Sequence, residues 1–296
     1  MNPGYTPTYD IGNPQRIALP GRGTTSVWDS ASPDTAPNAD LARSGELPVL
    51  LLHGWNIDAP TNYGFAFPRL AQSHRVIMFD QHGHGQGLRN DAPFTLASAA
   101  NDAIAVLDAL AISSAVVVGY SLGGAVAQTL LSNHPDRCAG LVLSATSGNF
   151  AERRREVAQF AALGRISRAL RRVPASARAQ LFATILKTTT RRYPAWIADV
   201  VRQADAITLL EAGSALGTLS PEKITSPSPV PSSFIVTSTD RIVPKERQVR
   251  LATELNVTSM HNVHAGHEVP IRNDPEFNDA LAEAVKTVTD AAHAQN

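Results

Sequence analysis

Four short apolar runs constrain this chain more than any other feature. Pro48-Val-Leu-Leu-Leu52 stops at His53-Gly54, Arg75-Val-Ile-Met-Phe79 at Asp80, Ala115-Val-Val-Val118 at Gly119, and Gly140-Leu-Val-Leu143 at Ser144. None alternates apolar with polar residues, so each reads as a strand buried on both faces. Helical patterns lie between them, over Phe65–Ser73, Leu96–Leu110 and Leu122–Asn133, the last closed by Pro135. Alternating strand and helix implies parallel βα units, hence an α/β fold with a mostly parallel central sheet and helices on both faces. Short strands at Arg16–Leu19 and Thr24–Trp28 precede the first run as an edge hairpin, followed by a polar loop around Ser32–Ser44.

The rhythm breaks after Phe150. From there to about Ser220 the chain reads as helices (Ala151–Leu163, Arg165–Arg172, Ala175–Leu186, Tyr193–Leu210) with no strand, and it carries 12 Lys and Arg against 5 Asp and Glu. Strands return at Ser233–Thr237 and Asn256–Met260, and an amphipathic helix from Pro275 to about Ala291 closes the pattern. The organisation expected is a core of residues 1–150 and 221–296 interrupted by a helical cap over 151–220.

Several function classes fall away on charge and composition. Lys and Arg balance Asp and Glu at 26 each, which removes the long-range field of a nucleic-acid binder. Cys138 is the one cysteine, so no internal disulfide framework exists, and it reads as a small packed hydrophobe. Ala109–Asn133 lacks charge over a length that could span a bilayer. Its serines, glycines and β-branched first half favour a buried strand running into a buried helix. With no basic and apolar leader at Met1, the expected location is the cytoplasm.

Gly119-Tyr120-Ser121-Leu122-Gly123 directly follows the valine strand and opens a helix. A serine on a sharp strand-to-helix turn needs glycine neighbours so that the backbones can approach, and its Oγ then stands above the carboxyl end of the sheet. A serine hydroxyl is a poor nucleophile at neutral pH and needs a base, itself oriented by a carboxylate. Asp240 follows the strand ending at Thr237, and His267 follows the last strand in Ala-Gly-His-Glu-Val-Pro. The chain order is then Ser, Asp, His, as in the nucleophile-elbow class. Asp58 and Asp80 remain rival carboxylates, and Glu268 reads as a loop residue.

With these motifs the sequence resembles the α/β-hydrolase superfamily, in its lid-bearing branch, from about Pro48 onward. The resemblance implies that His53-Gly54-Trp55 is an oxyanion loop, with the backbone N–H groups of Trp55 and Leu122 binding the developing oxyanion. It implies that Asp80-Gln-His-Gly-His-Gly-Gln-Gly87 is a strand-end motif in which Gly87 stands where a serine is usual. The helical insertion would then be a lid over Ser121, supplying apolar contacts such as Phe160, Leu163, Phe182, Ile185 and Trp196. His53, Gly54, Tyr120 and Trp196 are candidate pocket residues.

The activity so implied is cofactor-free hydrolysis of a carboxylic ester or related acyl compound through an acyl-enzyme. A carbon–carbon bond hydrolase, lactonase or perhydrolase-like enzyme on the same triad is the alternative, and a lyase, oxygenase or ligand-binding member a further one. The partner expected is a small molecule. No metal is expected, although His261, His264 and His267 sit three apart. The arginines of the insertion (Arg153, Arg154, Arg155, Arg171, Arg172, Arg191, Arg192) raise the idea of anionic substrates or an acidic lipid surface.

Overall fold

The computed structural model describes residues 6–32, 47–174, 176–177, 195–220 and 225–295. Most of the expected helix Ala175–Leu186, the pocket candidates Phe182 and Ile185, Arg191, Arg192 and most of the Ser32–Ser44 loop lie outside the described residues.

Eight strands form one sheet: β1 (Gln15–Leu19), β2 (Gly23–Asp29), β3 (Val49–Leu52), β4 (Val76–Phe79), β5 (Ala115–Tyr120), β6 (Cys138–Ser144), β7 (Ser232–Thr237) and β8 (Ser259–Val263). Their order is β1-β2-β4-β3-β5-β6-β7-β8. The β1–β2 and β2–β4 pairs are antiparallel, and every pair from β4 to β8 is parallel. The antiparallel hairpin caps one edge, as the alternation of apolar runs and turns implied.

Strand residues divide by period two between two cores. Leu50, Leu52, Ile77, Phe79 and Val117 face one side, where they meet α3 (Leu96–Ala109), α4 (Leu122–Asn133) and α8 (Lys245–Leu255). Val49, Leu51, Val76, Met78 and Val118 face the other, against α1 (Ala59–Tyr63), α2 (Phe67–Leu70) and α9 (Pro275–His293). Caps set where helices begin. Thr95 and Ser98 form a capping box on α3, and Asp274 accepts from the Phe277 N–H ahead of α9.

Some boundaries differ from the sequence reading, for local reasons. The expected helix Phe65–Ser73 shortens to α2, and the short helix α1 before it was not expected from the sequence; Pro60 and Pro68 each occupy a helix start. Ala151–Leu163 and Arg165–Arg172 merge into one helix, α5 (Arg154–Leu170). Gly164 does not break it; a Cβ there would lie 2.6 Å from Ser214 Oγ, so the glycine marks close helix packing. Tyr193–Leu210 is divided into α6 (Ala195–Arg202) and α7 (Ala206–Leu216), since Asp205 accepts from the Thr208 N–H and starts a new helix. The last strand begins at Ser259 rather than Asn256, because Asn256 sits in the left-handed region (φ 52°) and ends α8.

Cys138 is buried, and burial pushes its thiol up to about 12. Ala109–Asn133 folds as β5 and α4, and no described helix is long and apolar enough to cross a membrane.

At β3 the strand order reverses: the chain goes to β4 on one side, then crosses back to β5 on the other. The loops after β3 and β5 therefore part at their carboxyl ends, where α/β sheets open a crevice.

Candidate active site

Ser121 sits at the tip of β5 with φ 53° and ψ −113°. A residue with a Cβ is held there only when its surroundings over-determine the turn. Two glycines do so. A Cβ on Gly119 would lie 2.5 Å from Gly123 O, and one on Gly123 would run into Leu52 O and lie 2.8 Å from His53 O. The turn is tied further by Ser121 N–H donating to Ser144 O (3.0 Å) and Thr146 Oγ1 donating to Ser121 O (2.9 Å).

From the loop after β8, His267 Nε2 stands 3.0 Å from Ser121 Oγ, and its Nδ1 stands 2.7 Å from Asp240 Oδ2. Asp240, in the loop after β7, is held from every side. Its Oδ1 accepts the N–H groups of Ile242 (2.7 Å) and Val243 (2.9 Å), and its Oδ2 accepts Thr237 Oγ1 (3.0 Å). Gln248 of α8 bonds Thr237 and Val243, bracing the carboxylate loop. Three residues from distant stretches of chain thus meet in one hydrogen-bonded line. Asp58 and Asp80 take no part in it, and Glu268 pairs with Arg272 at 2.7 Å. Among the described residues, no group of three His, Cys, Asp or Glu could hold a metal ion.

The His53-Gly54-Trp55 loop lies against this line: a Cβ on Gly54 would lie 3.6 Å from Ser121 Cβ and 3.4 Å from Tyr120 Cδ1. Among the described residues, no protein acceptor takes the backbone N–H of Trp55 or of Leu122, the first residue of α4. Gly54 N–H is held by Asn62 Oδ1 at 2.8 Å.

A sequence profile of the alpha/beta hydrolase fold matches residues 48–274. The chain belongs to this family. It is 30% identical to a pimeloyl-[acyl-carrier protein] methyl ester esterase of Sodalis glossinidius over 253 residues, covering 81% of this chain and 94% of the relative. Over 104 residues it is 38% identical to a 2-hydroxymuconate semialdehyde hydrolase of Pseudomonas sp. (strain CF600), covering 34% of this chain and 37% of that one. Such local matches span about a third of the first curated relatives. The solved enol-lactonase of Burkholderia xenovorans LB400 superposes with a TM-score of 0.69 at 19% identity, covering 92% of this chain and 100% of that one, a likeness of fold.

In this α/β hydrolase the candidate pocket residues have distinct surroundings. His53 is a brace: Nδ1 bonds Gly54 O (2.8 Å), Nε2 accepts Gln81 N–H (3.0 Å), and burial pulls its pKa down to about 4. Both ring nitrogens are spent on loops, and the side chain is fully buried. Tyr120 is likewise buried; its hydroxyl donates to His267 O at 2.6 Å and its ring lies 5.5 Å from the imidazole. Burial, then the charge of Asp240, pushes that phenol up. It supports the histidine loop through that bond. Trp196 is buried, and its Nε1 has no partner among the described residues.

Trp55 reaches further than its loop suggested. Its indole N–H donates to Leu209 O of α7 at 2.8 Å, and a Cβ on Gly213 would lie 2.5 Å from Trp55 Cζ2 and 2.8 Å from Leu163 Cδ1. Leu163 therefore seals the α5–α7 contact beside Trp55, and Phe160 does the same against Gly217. α7 is bound to the core through Asp205 N–H to Gly83 O (2.7 Å) and through Glu211, which accepts Phe94 N–H and two Arg171 bonds. No sequence pattern pointed to Asn62, Gln248, Leu209 or Gly213, because each acts through a contact in which a backbone group, or the lack of a side chain, takes part.

Asp80 is buried with Oδ1 on Ala59 N–H and Oδ2 on Gln86 N–H. Burial, then neighbouring Asp58, pushes it up to about 7. At Gly87 a side chain would lie 2.5 Å from Asp80 O, which explains why no serine stands there.

Proposed function

We propose that this α/β hydrolase cleaves a carboxylic ester or closely related acyl compound by a serine mechanism. The reading rests on the Asp240–His267–Ser121 line at the head of a strained turn. Ser121 Oγ attacks the carbonyl carbon while His267 Nε2 accepts its proton, and Asp240 holds the imidazolium through Nδ1. The backbone N–H groups of Trp55 and Leu122 donate to the oxyanion of the tetrahedral intermediate. Collapse expels the alcohol, which takes the proton from His267, leaving an acyl-serine. Water, deprotonated by His267, then attacks the acyl carbon; the acid departs and Ser121 regains its proton.

The helices between β6 and β7 act as the cap over Ser121, with α7 as its fixed wall. Similarity to the Sodalis esterase along most of both chains supports an ester substrate. Local similarity to the hydroxymuconate semialdehyde hydrolase keeps carbon–carbon hydrolysis on the same triad as the second reading.

The test is intact mass after incubation with a fluorophosphonate, for the wild type, Ser121→Ala and His267→Ala, alongside hydrolysis of p-nitrophenyl acetate, butyrate and octanoate. One adduct, absent from both variants, with one chain length preferred, is the expected result. Ester turnover undiminished in Ser121→Ala would overturn the mechanism. An adduct without turnover of any ester would move the substrate to the carbon–carbon class.

A further inference from the structure

The outward face of α5 has no role in the chemistry above, and its composition is unusual for a helix that faces water. Arg154, Arg155, Arg165, Arg168 and, just past the helix end, Arg172 are all exposed. None makes an ion pair among the described residues. The acids of this segment are turned away: Glu156 binds Arg247 at 2.8 Å, and Glu152 binds Arg247 and Arg250. Arg171, on the inner side, is taken by Glu211.

At 100° per residue the four helical arginines fall in one band about 140° wide. Val157 borders it on one side and Ile166 on the other, 51% and 48% exposed. Inside the band the remaining outward residues are alanines. A helix side that only meets water normally mixes both charges as pairs three or four residues apart. This one presents a single sign with aliphatic margins, in a chain whose net charge is zero.

We propose that this face docks onto an anionic lipid surface. The face is the outward, convex side of a single helix. Its charges run along about 21 Å of helix axis, so the partner must offer negative charge over that length on a plane. A leaflet of anionic phospholipid does so. Guanidinium groups take its phosphates in bidentate fashion, while Val157 and Ile166, each about 90° from the centre of the band, lie along the leaflet surface on either side. Each arginine near such a leaflet raises partition about five-fold. The inference is independent of the serine mechanism, since binding is read without turnover.

The experiment is sedimentation of the full chain with vesicles of phosphatidylcholine alone and with about 30% phosphatidylglycerol added, at low salt and at about 0.5 M NaCl. The expected result is partition into anionic vesicles only, abolished by salt. The triple variant Arg154→Glu, Arg165→Glu, Arg168→Glu should bind at least about 100-fold more weakly with an unchanged melting temperature. Equal partition into neutral vesicles, or none into anionic ones, overturns the proposal in the wild type alone, whatever the variant's folding. Retention of the folded variant on anionic vesicles overturns it too, as does binding to polyglutamate without binding to vesicles, which would make the partner an acidic protein.

Discussion

Replacing Ser121 by glycine should give a more stable protein than replacing it by alanine. Both variants lose Oγ and with it the 3.0 Å bond to His267, so that bond cancels in the comparison and the backbone alone is left. At φ 53° and ψ −113° a residue with a Cβ carries strain of about 1–3 kcal/mol, which glycine does not. Glycine in turn loses about 0.5–1 kcal/mol more chain entropy on folding than alanine. The difference leaves Ser121→Gly ahead by about 1 kcal/mol, or roughly 2 °C in Tm for a chain of this length. Urea unfolding of the two variants, with equal m values as the control, measures it. Alanine matching or exceeding glycine would refute the reasoning, because the turn would then not be a strained one held open for a side chain.

Removing the Trp55 indole N–H in Trp55→Phe strands Leu209 O and loosens the loop carrying the proposed oxyanion donor. Here kcat should fall about ten-fold with KM little changed, against the 10²–10³-fold typical of deleting such a donor outright; unchanged kcat would separate α7 from the oxyanion loop. Gly213→Ala, which places a methyl 2.5 Å from Trp55 Cζ2, should lower kcat in the same direction. Tyr120→Phe leaves His267 O without its 2.6 Å donor, costing about 1 kcal/mol of stability and slowing fluorophosphonate capture; an unaltered capture rate would reduce Tyr120 to packing. Burial, reinforced by His53, holds His84 at about 3 in the fold against about 6.5 unfolded. Its stabilising contribution is therefore complete above about pH 6.5 and is lost as pH falls, because the unfolded chain takes up the proton first. Asp80, raised to about 7, acts with the opposite sign and loses its contribution as pH rises, so the variant comparison isolates the histidine. Between about pH 4 and 6, His84→Phe should lower the slope of stability against pH by about 1.4 kcal/mol per unit, as read from urea titrations at a series of pH values.

What the sequence made legible follows from how each interaction is encoded. Strands buried on both faces require unbroken apolar runs, so β3 to β7 could be read directly, as could the two glycines that let Ser121 stand where it does. The order Ser, Asp, His fitted loops at the carboxyl ends of parallel strands, but Asp58 and Asp80 follow β3 and β4 at that same end, so the sequence left them as rivals until the 2.7 Å contact of His267 Nδ1 singled out Asp240. The shift of β8 and the division of the expected Tyr193–Leu210 helix escaped because single residues decide them. Asn256 ends α8 in a left-handed turn and Asp205 starts α7, and asparagine and aspartate occur as often in ordinary loops.

The contacts that support the site were the least legible. Tyr120 hydroxyl to His267 O, Asn62 to Gly54 N–H and Trp55 to Leu209 O all pair a side chain with a backbone group. A backbone carbonyl or N–H has no residue signature, so composition and spacing carry no trace of it. The same fact gives these contacts their leverage. The residues proposed for the chemistry sit on four separate loops, and each loop is held by a bond to a backbone atom of another element. Substitutions at Tyr120 or Asn62 would leave every residue of the proposed triad in place, and would still be expected to move the backbone groups those side chains hold.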